Sequence, residues 1–113
     1  MLRIVSNTGP IIGLAKIGKM DLLKKMAQEI LIPPFVHKEI FGKIGPEAAD
    51  IEKALREFIG IAPISSSDPS MKSALAELDE GERQAIMLAW SLGKEALLLM
   101  TIMLAGKRQG SCN

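Results

Sequence analysis

Leu2-Arg3-Ile4-Val5-Ser6-Asn7-Thr8-Gly9-Pro10 is the stretch from which the fold is read. Leu2 to Ser6 is apolar enough for a short buried strand. Asn7-Thr8-Gly9-Pro10 is turn chemistry, with Thr8 or Gly9 suited to cap a helix and Pro10 to its first position. Ile11, Ile12, Leu14 and Ala15 then form a small apolar helix that stops at Gly18.

Outward from that stretch the alternation continues. Met20, Leu22, Leu23, Met26 and Ala27 carry the 3.6-residue period of a second helix. Residues 29–32 form a strand, ended by Pro33-Pro34, which cannot donate to a ladder. Phe35, Val36, Ile40 and Phe41 give the apolar side of a short helix. Gly45-Pro46 restarts a helix through Ile51, Leu55, Phe58 and Ile59. Residues 60–64 read as a third strand, Ser65-Ser66-Ser67 as loop, and Asp68-Pro69 as the cap of the next helix. The best-marked helix runs from Asp79 to Leu92 and ends at Gly93, and Ala96 to Met100 is a fourth strand. The strands lack a polar alternate face, as in a parallel sheet covered on both sides. The expectation is one α/β domain without repeats or linkers.

Composition narrows the function classes. The chain has 113 residues, 48% hydrophobic and 24% charged, which is globular rather than disordered. Fourteen Lys and Arg against 13 Asp and Glu leave a net charge of +1, so no bulk charge announces a polyanion or a membrane surface. Cys112 and His37 are the lone cysteine and histidine, which excludes an internal disulfide, a thiolate zinc cage and a histidine cluster. Any metal would be bound by oxygen, as Mg²⁺, Mn²⁺ or Ca²⁺. The first residues are too short for a signal-peptide apolar region, and the apolar run from Ala96 to Ala105 is too short to span a bilayer. A soluble, cytoplasmic protein is expected.

Ligands of open parallel sheets bind beyond the carboxyl ends of the strands. Asn7 stands there after the first strand and offers one oxygen and two donors; it reads either as a turn asparagine or as a functional group. Glu39 shares a helix face with Phe35 and Val36, where a carboxylate needs a partner; Lys38 or Lys43 would make it an edge ion pair. Glu82 begins a row with Ala85, Ile86 and Ala89 and so points inward toward the strand ends. Asp79-x-x-Glu82 equally reads as a capping box, with Asp79 and Glu80 complementing the helix dipole. Residues 13–20 nearly spell a phosphate loop, but Met20 stands where a hydroxyl should hold Mg²⁺, and the segment is helical. His37 lacks the partners of a catalytic triad and is expected on the surface of its helix.

Four segments together resemble the PIN-domain family, in its VapC-like branch. They are Ile4 to Gly18, Ile30 to Ile40, Leu78 to Ile86 and Leu97 to Met100, so that the likeness covers residues 3–100. The resemblance implies a three-layer α/β/α sandwich around a central parallel sheet and a Mg²⁺- or Mn²⁺-dependent endoribonuclease. It places metal-binding and catalytic positions on Asn7, Glu39 and Glu82, with Thr8 against the substrate. It further implies RNA and a small antitoxin protein as partners, and a possible homodimer. Asn7 supplies one negative charge fewer than an aspartate would. The alternative expectation is a non-catalytic PIN-like module that binds RNA or an antitoxin without cutting. The pattern departs after Met100, where residues 101–113 contain no carboxylate, helix cap or strand pattern. A frame opening on the third base of the Thr101 codon permits Asp-Asn-Ala-Gly-Arg-Lys-Ala-Ala-Arg. The expectation is therefore a domain over residues 1–100, incomplete at its C-terminus, with a frameshifted tail.

Overall fold

In the computed structural model the described residues are 2–43, 45–64, 69–93 and 96–100. The loop expected at 65–67, the cap expected at Asp68 and the tail at 101–113 lie outside them. The element order is β1 (Arg3–Ser6), α1 (Thr8–Lys16), α2 (Met20–Met26), β2 (Glu29–Ile32), α3 (Pro34–Lys43), α4 (Ala48–Glu57), β3 (Ile59–Ile61), α5 (Pro69–Ala74), α6 (Glu80–Leu92) and β4 (Ala96–Leu99). The four strands make one sheet in the order β3-β2-β1-β4. All neighbours are parallel, with Ile4 opposite Ile30 and Leu97, and Ile30 opposite Ile59.

Strand alternation divides the core into two layers. Ile4 of β1 joins Ile30, Ile32 and Ile59 on one face, where α1 contributes Ile11 and Ala15, α2 contributes Leu23, α3 contributes Val36 and Ile40, and α4 contributes Ile51 and Ala54. Val5 points the other way and meets Ala85 and Leu88 of α6, with Leu31, Leu98 and Met100 packed around them. Helices therefore lie on both faces of a parallel sheet, and the expected three-layer α/β/α sandwich is the architecture found.

Local chemistry explains the boundaries that differ from expectation. Asn7, not Thr8 or Gly9, is the N-cap of α1, so Thr8 is its first helical residue and Pro10 its third. Pro is tolerated there because first-turn amides have no intrahelical acceptor. The third strand is Ile59–Ile61 rather than 60–64. Ala62 N–H still donates to Ile32 O at 2.9 Å, but Pro63 has no N–H with which to continue the ladder. Gly45-Pro46 forms a turn before α4 instead of its first turn. Gly93 ends α6 at φ 83°, in the region where glycine is favoured.

Truncation of Ile4 to Ala, at 0% exposure in the central strand, should lower unfolding free energy by about 2–5 kcal/mol. Ile17→Ala, at 66% exposure after α1, should change it by no more than about 0.5 kcal/mol. Urea denaturation of both variants checks the assignment of the core; similar losses would contradict it.

Candidate functional site

β1 becomes polar where its ladder ends. Ser6 is fully buried and its hydroxyl donates to Asn7 O at 2.9 Å, while Asn7 N–H donates to Leu99 O at 3.3 Å. These two bonds hold the Asn7 peptide at the carboxyl edge of the sheet. Asn7 is 6% exposed, and its side chain makes no cap hydrogen bond to α1. Asn7 is thus the N-cap of α1 by its backbone position, without a side-chain cap bond.

Thr8 follows at the start of α1 and is equally buried. Its hydroxyl donates to Glu39 Oε1 at 2.6 Å, linking α1 to α3. A short bond to an ionised acceptor is stronger than a neutral one. Glu39 thus has a partner on another element, at the strand ends. Lys43, offered above as an alternative partner, has its side chain outside the described residues.

Glu82 satisfies both of its readings. It is 4% exposed on the inner face of α6 with Ala85 and Leu88. It also completes the capping box: Glu82 N–H donates to Asp79 Oδ1 at 2.8 Å, and Asp79 N–H donates to Glu82 Oε1 at 3.3 Å. The box orients the carboxylate at the head of the helix, where the backbone dipole favours negative charge.

The head of α6 is braced against α3 through Gln84, a residue for which the sequence suggested no role. α3 begins at Pro34 after Pro33, so neither preceding residue offers an N–H. The first amide, Phe35 N–H, donates to Gln84 Oε1 at 3.2 Å, and Gln84 Nε2 donates to Glu80 Oε2 at 2.7 Å. Arg83 pairs with the other Glu80 oxygen and donates to Leu78 O at 2.7 Å. Gly81 lies between these braces, and a Cβ built on it would stand 2.8 Å from Glu39 Oε1. Glu39 and the first turn of α6 are therefore in close contact. No pattern within one element announces Gln84 or Gly81, because both act across elements. His37 is half-buried rather than fully on the surface, its ring edge-on to Phe41 with centroids 5.0 Å apart.

The groups that the sequence offered to a cation, the Asn7 amide and the carboxylates of Glu39 and Glu82, present oxygen donors. Among the described residues there is no group of three or more His, Cys, Asp and Glu able to hold a metal. Two carboxylates and an amide nevertheless suit Mg²⁺ or Mn²⁺ in type, since Mg²⁺ is usually bound by one or two carboxylates and keeps several waters.

Glu80 is the titrating group whose environment is clearest. The Arg83 hydrogen bond first, and the Gln84 bond second, hold its carboxyl below the usual carboxylate range. A depressed native value stabilises the fold above the unfolded value, and that contribution disappears as pH falls through the native one. Glu80→Gln should therefore cost stability at neutral pH, by less than about 1 kcal/mol because the pair is partly exposed and screened. The gap between wild type and variant should close as pH falls below the usual carboxylate range. Chemical denaturation at stepped pH checks this; a gap that widens in acid would contradict it.

Among the described residues no helix is long and apolar enough to cross a membrane. No curated protein and no solved structure matches the chain. A family model described as PIN domain matches residues 3–100, nearly the whole chain and every element from β1 to β4. The parallel sheet, the two helical layers and the polar end of β1 thus belong to a chain that is a member of the PIN-domain family.

Proposed function

We propose that this chain is a metal-dependent endoribonuclease that hydrolyses RNA phosphodiester bonds, working in the cytoplasm as the toxin of a toxin–antitoxin pair. Membership of the PIN family supports a nuclease-like protein that uses divalent metal and meets RNA. The single observation that carries the finer reading is the contact between Glu39 and the first turn of α6 beside the polar end of β1.

In this reading Asn7, Glu39 and Glu82 hold Mg²⁺ or Mn²⁺. The bound ion would supply Lewis acidity toward the phosphate and a lowered pKa for water. The chain's own residues do the rest. Thr8 Oγ1 fixes one Glu39 oxygen and stands at the site's wall, where it contacts the substrate backbone. Water oxygen bonds to phosphorus as the P–O bond to the leaving sugar oxygen breaks; one carboxylate, Glu39 or Glu82, accepts the proton that the water loses, and the leaving oxygen takes its proton from solvent. Asn7 contributes a neutral oxygen and is not a base at neutral pH.

A second reading is favoured by one observation, the amide at residue 7. With one charge fewer at the strand end, the site suits weak cation binding, and the chain would bind RNA or an antitoxin protein without cutting. A homodimer is also part of the proposal. Trp90, 71% exposed, lines an open apolar groove with Ile86, Ala89 and Leu98 along the flank of α6 and β4.

The test is cleavage of single-stranded RNA with Mn²⁺. Glu39→Ala and Glu82→Ala should each slow cleavage by about 10²–10⁴-fold. RNA bound but left intact would favour the second reading, and RNA neither bound nor cut would remove the nuclease and leave the second reading only in its antitoxin-binding form. Asn7→Asp should tighten Mn²⁺ binding by about tenfold in calorimetry, since ligand charge tunes affinity for hard cations. Unchanged affinity would show that residue 7 is not a ligand.

A further inference from the structure

We infer that Gly81 is a positioning residue: its missing side chain creates the space in which the Glu39 carboxylate rests against Thr8. The part of this inference that concerns metal affinity rests on the functional reading above; the steric part does not.

Gly81 is the second residue of α6 and is buried. Glycine is a poor helix former, so its presence inside a helix calls for a reason. Backbone conformation is not that reason, because Gly18 and Gly93 are the glycines at positive φ and Gly81 is not among them. General crowding is not the reason either. A Cβ at Gly13 in α1 or at Gly42 in α3 would meet nothing within 4 Å. At Gly81 it would meet Phe35 Cδ2 and Val36 Cγ2 at 3.6 Å, which is ordinary contact, and Glu39 Oε1 at 2.8 Å, which is not. The one atom excluded is the end of a flexible carboxylate side chain.

The same oxygen accepts the Thr8 hydroxyl at 2.6 Å. Glu39 Oε1 is thus held from one side by a donor on α1 and admitted from the other by the bare backbone of α6. A methyl group at residue 81 would be absorbed by moving Glu39, because its carboxylate end yields more readily than the packed rings and branches of α3. The fold should survive while the acid shifts. This separates Gly81 from a glycine kept for folding, whose replacement would cost stability and leave a distant carboxylate in place.

The experiment compares wild type with Gly81→Ala, using Glu39→Gln to assign the Glu39 carboxyl ¹³C resonance in glutamate-labelled, metal-free protein. In Gly81→Ala the Glu39 resonance should move, that of Glu52 on α4 should stay, and the thermal melt should be equal or higher. Mn²⁺ titration followed by paramagnetic resonance should then show affinity reduced by about 10- to 100-fold, the usual effect of disturbing a residue that orients a ligand. An unmoved Glu39 resonance would overturn the inference. A shifted resonance in a protein whose Mn²⁺ binding ignores Glu39→Gln would uphold the positioning and remove the metal reading. If Gly81→Ala does not fold, Gly81→Ala combined with Glu39→Ala decides: recovery of the fold supports the contact with Glu39, and continued failure assigns the clash to Phe35 and Val36 and overturns it.

Discussion

The double burial of β1 is the constraint on which the rest depends. The strand is hydrogen-bonded to β2 on one side and β4 on the other, and helices cover both of its faces. No polar side chain could lie within it without a buried partner. Ile4 and Val5 obey this by facing opposite layers, and polar side chains stand at the two ends of the strand: Arg3, paired with Glu29 at the amino end, and Ser6, Asn7 and Thr8 at the carboxyl end. A parallel sheet thus keeps its polar groups at the ends of its strands as a consequence of keeping its interior apolar, and the uncharged, buried ones lie at the carboxyl end.

What brings acids to that edge is a set of contacts between α3 and α6. A helix that starts at Pro34 directly after Pro33 has few amides to satisfy, and Gln84 takes the first of them. The Glu80, Arg83 and Gln84 cluster stiffens the head of α6, and the Asp79–Glu82 box sets its first turn. Gly81 then permits the approach of Glu39, which Thr8 holds. Each contact is modest, yet together they place one acid beside the helix whose first turn carries another.

Much of the fold was legible because its signals are local. β2 occupies 29–32 as read, ended by Pro33-Pro34, and Gly93 ends α6 as glycine at a helix terminus should. The errors arose where two local signals competed. Both Thr8 and Asn7 are capping residues, and the pairing of β1 with β4 decided for Asn7 by drawing its N–H to Leu99 O. The third strand shifted toward Ile59, whose partner Ile30 no reading of one segment could reveal. At the site, the inward direction of Glu82 followed from helical spacing, but the partner of Glu39 did not: Thr8 lies 31 residues away. Gln84 and Gly81 escaped for the same reason, since each matters only through what another element sets beside it.

In the proposed function Asn7, Glu39 and Glu82 together hold a divalent cation at the end of β1. A crystal structure of the protein grown with Mn²⁺ and measured at an anomalous-scattering wavelength tests it most directly. One anomalous peak is expected at the carboxyl edge of the sheet, within coordination distance of oxygens from Glu39 and Glu82 and facing Asn7, with waters completing the shell. An ordered Mn²⁺ bound elsewhere, or a saturated crystal with no peak at that edge, would contradict it.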